Sequence, residues 1–245
     1  ASLVPWIMII AGLHTTMIYK ASGYSLKSTI LFFIIAHVLI IYSTFLTRTG
    51  ILGETSVHAF TGEGSSLFYH LLVFLFLFLG VGLFLFFRNY KSIPDLKKEE
   101  EALSSREFWM FIGALVLLIS VVQITYTTSI PVWNKMFGTK MAVTDPISHY
   151  NKIQIWITFI VLMCTSFIYY LKFKQSNFKE FLPKLILPVI LAIAGTVLIA
   201  FTQKIESIPI LFILFAAVLS VFANMLYELG YIPKVVILGG TTALV

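Results

Sequence analysis

The sequence contains one cysteine, Cys164, and that residue lies within an apolar run. An internal disulfide needs two cysteines, and a Cys-rich zinc site or a Cys-x-x-Cys-His haem attachment site needs at least as many. The sequence therefore excludes all three features for this chain.

Charged residues are also scarce. They make up 11% of the 245 residues, against 59% apolar and 16% aromatic residues, and the mean hydropathy is +0.95. This composition is typical of a polytopic membrane protein in contact with lipid. The net charge of +6 does not indicate a nucleic-acid partner, because the basic residues lie in short loops between apolar runs.

Several residue patterns of common enzymes are missing as well. No apolar run holds a pair of carboxylates, and the sequence has no Ser-His-Asp arrangement and no Gly-rich phosphate loop. Hydrolysis, phosphoryl transfer and carboxylate-based proton pumping therefore lack residues to carry them.

Apolar runs of about 20 residues, the length that crosses a bilayer as a helix, are the main feature that is present. They predict seven spans and the start of an eighth near Lys234, and the seven lie at 3–19, 29–46, 67–87, 108–130, 153–171, 183–201 and 208–227. The fold class is therefore all-α, a polytopic transmembrane helical bundle forming a single integral membrane domain over 1–245. The chain starts with alanine and stops within an apolar run, so we expect part of a larger protein or one product of a split gene.

The distribution of the 17 lysines and arginines predicts the orientation. Twelve follow the odd-numbered spans and five lie in the other connections. The positive-inside rule then places the N-terminus outside, together with the loop 47–66, which holds His58, and the loop 131–152. Four prolines at or near the ends of spans are expected to start or stop helices, and these are Pro131, Pro146, Pro183 and Pro188.

Two histidines lie within predicted spans, where an ionisable side chain is a functional candidate by default. His14 lies about 18 Å below the outer end of its helix and His37 about 12 Å above the inner end of its own. These depths are similar, and neighbouring helices pack 8–10 Å apart, which leaves no room for a haem between them. We therefore interpret His37 as a packing or hydrogen-bonding residue. His14 stays open between a buried, hydrogen-bonded imidazole and an axial ligand of haem iron.

The other three histidines lie toward the predicted outer face. His58 is on a loop with four glycines, and His70 is at the outer end of the third span. His149, in the loop 131–152, is a candidate second ligand on the side of His58. Imidazole at two depths suits a metal macrocycle better than general acid–base chemistry.

Two segments around His58 carry a resemblance to a known family. Thr44-Phe-Leu-Thr-Arg-Thr-Gly50, followed by Thr55-Ser-Val-His-Ala-Phe60, resembles the CcmF family of cytochrome c-type biogenesis proteins, in which Thr-Phe-Leu-x-Arg-Ser-Gly leads into Ser-Val-His-Ala-Phe. Pro5-Trp6 with His14 is similar to the segment after that family's Trp-rich motif. Pro146 with Tyr150-Asn151 resembles its Pro-x-Phe-Asn loop.

The resemblance implies the last step of cytochrome c maturation, in which haem is joined by thioethers to a Cys-x-x-Cys-His apocytochrome c at the outer face. His58 would be an axial ligand of this haem substrate, and His14 a ligand of a resident haem b within the membrane. The charge and location of Arg48 suggest that it would pair with a haem propionate. The implied partners are a haem chaperone, apocytochrome c, and thiol-reducing and apocytochrome-presenting maturation proteins. The membrane would be the bacterial inner membrane, or the mitochondrial one if the gene is split.

The sequence also departs from the family. The Trp-rich motif would precede Ala1, and Leu244 stands where the family has a histidine on the eighth span. Three alternatives stay open at this point: a membrane haem exporter or carrier without lyase chemistry, a b-type electron-transfer subunit, and a generic transporter subunit. The electron-transfer subunit would need two histidine pairs on facing helices.

Overall fold

The computed structural model describes residues 3–52, 65–94 and 102–230, and within these ranges it is helical without a β-strand. A 3₁₀ turn, Ile168–Tyr170, follows the sixth helix. The α-helices, in chain order, are α1 Leu3–Ser22, α2 Leu26–Arg48, α3 Ser65–Asn89, α4 Arg106–Thr128, α5 Ile130–Phe137, α6 Pro146–Phe167, α7 Phe178–Gln203 and α8 Ile208–Glu228.

Every described helix except α5 is long and apolar enough to cross a membrane. In hydrocarbon each backbone amide and carbonyl must find a partner within its own segment, and a helix achieves this over an uninterrupted apolar run. The chain is a multi-pass membrane protein, and the predicted all-α polytopic bundle is confirmed. The start of the eighth span near Lys234 lies outside the described residues.

Two connections are more helical than the sequence predicts. The segment 131–152 was expected to be a loop, but it contains α5 from Ile130 and the beginning of α6 at Pro146. Pro131 and Pro146 stand in the first turns of these helices, where a proline loses no hydrogen bond. The expected loop 47–66 is likewise shorter, since α2 continues through Arg48.

Two other prolines do not mark helix ends. Pro183 and Pro188 were expected near the start of a span, but both lie inside α7, which begins at Phe178. The Asn177 side chain caps this start by accepting a hydrogen bond from the Lys179 amide at 3.1 Å. Prolines inside membrane helices are tolerated because neighbouring groups satisfy the freed carbonyls.

Residues Ala1–Thr16, Ser25–Leu96 and Leu117–Ile147 form one compact unit, which we call unit 1. Within it α2 and α3 are antiparallel neighbours, since the Phe45 ring contacts the Phe68 ring at one end and Lys27 lies over Tyr90 at the other. The core of this unit has three buried residues and six partly buried ones, and these are Phe45, Leu46 and Leu52 with Tyr42, Ile51, Phe68, Leu71, Leu72 and Val132.

Residues Met17–Tyr24, Lys97–Val116 and Ser148–Val245 form the second compact unit, unit 2. Here α7 packs against α8, and a Cβ added at Gly195 would approach Val218 Cγ1 to 3.0 Å. The glycine thus permits the close approach of the two helices. The core is aromatic and aliphatic, and its buried members are Tyr170, Leu171, Phe181, Ala223, Leu226 and Tyr227. The predicted single membrane domain stays a prediction.

Candidate functional site

His14 lies in the middle of α1 and is half-buried. Its Nδ1 is 2.8 Å from the Ile10 carbonyl oxygen, one turn earlier in the same helix. A carbonyl oxygen can only accept a hydrogen bond, so Nδ1 carries the proton and donates it. The other nitrogen, Nε2, then keeps its lone pair and can bind a metal. A histidine that binds metal commonly has this second hydrogen bond, which fixes the tautomer and the ring orientation.

A chain of hydroxyl groups holds α1 against α2 next to His14. Thr29 Oγ1 donates to Thr15 Oγ1 at 3.0 Å, and Thr15 Oγ1 donates to the Gly12 carbonyl at 2.9 Å. A Cβ added at Gly12 would lie 3.1 Å from the ring of Phe33, so the helices also touch there. These contacts prevent α1 from rotating and thereby set the direction of the His14 side chain.

His14 borders an exposed apolar face of α1. Leu3, Trp6 and Leu13 follow each other at helical spacing, and all three side chains are exposed. On the opposite side of the same helix, Met8 and Ala11 are fully buried. An apolar face with an imidazole at its edge can take an apolar macrocycle or another helix. The donor set fits a haem iron on His14.

Arg48 is the last residue of α2, and its side chain is exposed. A cation in the last turn of a helix complements the helix dipole, so the presence of an arginine at this position does not require a bound ligand. Thr29, which contacts Thr15, precedes Arg48 by 19 positions, or about 28 Å along α2. Arg48 therefore lies far from His14, and the two residues cannot serve the same haem. His58 follows Arg48 in the chain but lies outside the described residues.

The structure corrects the setting of His149. This residue was expected in a loop, but it lies in the first turns of α6, four positions into the helix. Its ring is exposed and meets the edge of Tyr150 at a centroid distance of 5.7 Å. Proline at the first helical position explains the early start of α6, because its fixed φ suits the first turn. His149 belongs to unit 2, whereas Arg48 and His14 belong to unit 1.

The depth of His37 and the surroundings of its side chain differ from those that the sequence predicted. Because Thr15 meets Thr29, His14 lies level with about residue 30 of α2, and His37 is about 10 Å farther along that helix. The two histidines are therefore not at the same depth. The His37 side chain is exposed, with the edge of Phe78 against its ring.

A second polar contact, which the sequence did not predict, positions α5. The Tyr42 hydroxyl lies 2.5 Å from Ser129 Oγ, and Ser129 Oγ donates to the Thr125 carbonyl at 2.5 Å. Tyr42 therefore donates to Ser129, the residue before α5. Val132 of α5 packs into the core of unit 1, and Met136 on the same short helix is exposed. No sequence pattern indicates a contact between residues so far apart in the chain.

In unit 2 the start of α4 binds the connection between α6 and α7. Both oxygens of the buried Glu107 carboxylate accept from the Lys174 amide at 2.9 Å, and the Arg106 amide donates to the Lys172 carbonyl at 3.0 Å. The Arg106 guanidinium lies over the rings of Tyr169 and Phe173. The acidic residue in the first helical turn is the one sequence signal for this junction.

Within the described ranges no group of three or more His, Cys, Asp or Glu side chains could hold a metal ion.

Comparison with known proteins shows that the chain is similar to cytochrome c-type biogenesis proteins. It is 29% identical over 202 residues to CcmF of Pseudomonas fluorescens, which covers 82% of the chain and 29% of that protein. It is 26% identical over 232 residues to CcmF of Haemophilus influenzae, covering 94% of the chain and 34% of that protein. A shorter match, 38% identity over 74 residues, links 30% of the chain to 11% of NrfE of Haemophilus influenzae.

These relatives are much longer than the chain, which spans about a third of the length of the CcmF proteins that it matches. No protein-family model and no solved structure matches the chain.

Proposed function

Since the chain is related to the CcmF family of cytochrome c-type biogenesis proteins, we propose that it acts in cytochrome c maturation as part of a haem lyase. In this proposal the haem arrives from a haem chaperone at the outer face of the bacterial inner membrane. His58 binds the iron of this haem, Arg48 attracts a propionate, and His149 is a candidate second imidazole. Thiol-reducing and apocytochrome-presenting proteins deliver the apocytochrome c.

The reaction joins two thiols of a Cys-x-x-Cys-His segment to the two vinyl groups of the haem. In each addition a C–S bond and a C–H bond form, while the S–H bond and the π bond of the vinyl group are lost. The addition itself has no leaving group and transfers no electrons to or from another molecule. The contribution of the protein is therefore to hold the haem and the thiols in a reactive geometry. The single cysteine of the chain agrees with thiols supplied by the substrate.

One observation carries the proposed haem b within the membrane: the hydrogen bond that holds His14. Its Nδ1 is fixed on the Ile10 carbonyl, which leaves Nε2 at the border of an exposed apolar face. A haem held between two imidazoles is suited to the transfer of single electrons, and the haem iron must be ferrous for attachment. His14 would hold this resident haem b from one side.

The first test is a reduced-minus-oxidised absorption spectrum of the full-length protein purified in detergent. We expect a b-type α band that persists through washing and is lost or strongly reduced in His14→Ala. His70→Ala is the matched control, because this exposed histidine of α3 has no place in either proposed haem site. An unchanged α band in His14→Ala would remove His14 as a ligand.

The second test concerns attachment. We expect His58→Ala to abolish the formation of holocytochrome c, measured by haem staining after denaturing electrophoresis, while the variant still inserts into the membrane. Normal yield in His58→Ala would contradict the lyase proposal. Haem binding without any thioether product in the wild type would support a haem carrier instead.

A further inference from the structure

His37 stands at the centre of α2, 11 residues from Leu26 and 11 from Arg48. This distance is about 16 Å from each end, so the imidazole lies near the middle of the apolar layer. The side chain is nevertheless exposed at the surface of unit 1. A polar group facing hydrocarbon is costly unless something there binds it.

The surroundings of the ring are apolar. The edge of Phe78 meets the His37 ring at a centroid distance of 4.9 Å and an angle of 71°. Among the described residues, His37 has this ring contact and no hydrogen bond to its imidazole. A neutral imidazole held this way keeps a nitrogen lone pair available to a ligand.

A groove between α2 and α3 begins at this imidazole. It has an open volume of about 450 Å³, within the range of small-molecule sites. Below it the helices touch, since a Cβ added at Gly82 would lie 2.9 Å from Ile34 Cγ2. We call it the His37 groove, and its walls include His37, Phe33 and Ile34 of α2 and Phe78, Val81 and Gly82 of α3.

Cations lie at the end of the same two helices. Lys27 Nζ is 4.6 Å from the centre of the Tyr90 ring, and the Arg88 guanidinium is 6.0 Å from the centre of the Phe84 ring. The groove itself presents an imidazole and two aromatic walls. Lys27 and Arg88 lie outside its lining, about one helical turn beyond Ile30 and about two turns beyond Gly82. This arrangement complements an amphiphilic, planar ligand with carboxylates at one edge, because carboxylates are attracted to the cations.

We propose that the His37 groove is a haem site open to the lipid, separate from the sites of His14 and His58, with His37 Nε2 or Nδ1 as the axial ligand. The choice of haem as ligand rests on the proposed function. A quinol could also bind the imidazole by hydrogen bonding, and a lipid acyl chain could fill the groove without contacting the imidazole nitrogens. The imidazole next to aromatic walls favours a metal macrocycle.

The test uses haemin as the probe and the full-length protein carrying His14→Ala and His58→Ala in every sample. Titration in detergent is followed by the Soret band, and we expect the spectrum of a haem ligated by histidine. Addition of His37→Ala should remove that signature and weaken haemin binding by about tenfold or more. Failure of the lyase proposal leaves this result untouched, because His14 and His58, the histidines that the proposal assigns to its two haems, are already absent.

Two further variants separate the groove from its imidazole. Val81→Trp fills the groove and should abolish the same signal, whereas Val73→Trp, at an exposed position of α3 away from the groove, should not. Metal-free protoporphyrin should bind more weakly than haemin and be insensitive to His37→Ala. An unchanged haemin titration in His37→Ala would overturn the proposal. Equal binding of the two porphyrins, affected by Val81→Trp alone, would also overturn it and indicate an apolar groove for lipid.

Discussion

At the scale of the residue, the two histidines within the membrane have different environments. His14 has one nitrogen bound to its own helix and lies beside a hydroxyl chain that holds α1 on α2. His37 has an aromatic edge and an open groove. The first arrangement fixes a ligand in one orientation, as a permanently bound cofactor requires. The second admits a ligand from the side.

Thr15 provides a test of whether the hydroxyl chain between α1 and α2 positions His14. Its side chain is fully buried and takes part in two hydrogen bonds. Thr15→Val keeps the shape but removes both bonds, so we expect a loss of about 1 kcal/mol of stability and faster dissociation of the b-type haem. The measurements are the thermal midpoint in detergent and the decay of the α band.

Thr202→Val is the control for this change, because Thr202 is exposed and its hydrogen bonds to described residues go only to carbonyls of its own helix. The positioning role fails if Thr15→Val retains haem as long as Thr202→Val does.

At the scale of the element, the ends of helices carry polar contacts between segments that are distant in the chain. Glu107 is 1% exposed, and its carboxylate binds the Lys174 amide of the connection between α6 and α7. This bond ties the start of α4 to another part of unit 2. At the opposite end of α4, Ser129 Oγ accepts a hydrogen bond from the Tyr42 hydroxyl and donates to the Thr125 carbonyl, directly before α5 begins.

Glu107→Gln removes the charge and one of the two acceptor oxygens while keeping the size of the side chain. A hydrogen bond to a charged group contributes about 1.5–3 kcal/mol, so we expect the thermal midpoint to fall clearly. Glu180→Gln is matched to it, since Glu180 is exposed and lies 3.5 Å from Lys172. An exposed ion pair contributes little, and equal midpoints for the two variants would contradict a structural role of Glu107.

At the scale of the whole molecule, the orientation in the membrane rests on the distribution of basic residues. The single cysteine makes this orientation measurable. Once Cys164 is replaced by alanine, a thiol introduced at any exposed position reports the side on which it lies. Met136 and Leu103 are a matched pair, because each is 67% exposed and they lie in connections that the rule places on opposite sides.

We expect a membrane-impermeant maleimide to label Met136→Cys in intact cells and to label Leu103→Cys only after the membrane is opened. The opposite pattern would reverse the orientation and place the loop of His58 inside. Such a result would also exclude haem attachment at the outer face.

The sequence by itself determined the number and approximate limits of the described spans, because a helix that crosses a bilayer needs a fixed length of apolar residues. It also drew attention to His14 and His58, since the family resemblance depends on local segments. It overestimated the loops at 47–66 and 131–152, where the helical segments are too short to give the signal of a span. It also placed Pro183 and Pro188 at a helix end, although a membrane helix can contain them.

Only the tertiary structure decided the rotation of each helix and its partners. His37 was interpreted as a packing or hydrogen-bonding residue because neighbouring helices leave no room for a haem between it and His14. No periodicity in its span indicated which side of the helix would stay uncovered. Its exposure follows from how α2 and α3 pack, with their contact at Gly82 and Ile34. The bonds of Tyr42 to Ser129 and of Glu107 to Lys174 join residues distant in the chain. Such contacts depend on three-dimensional packing, which composition and spacing do not encode.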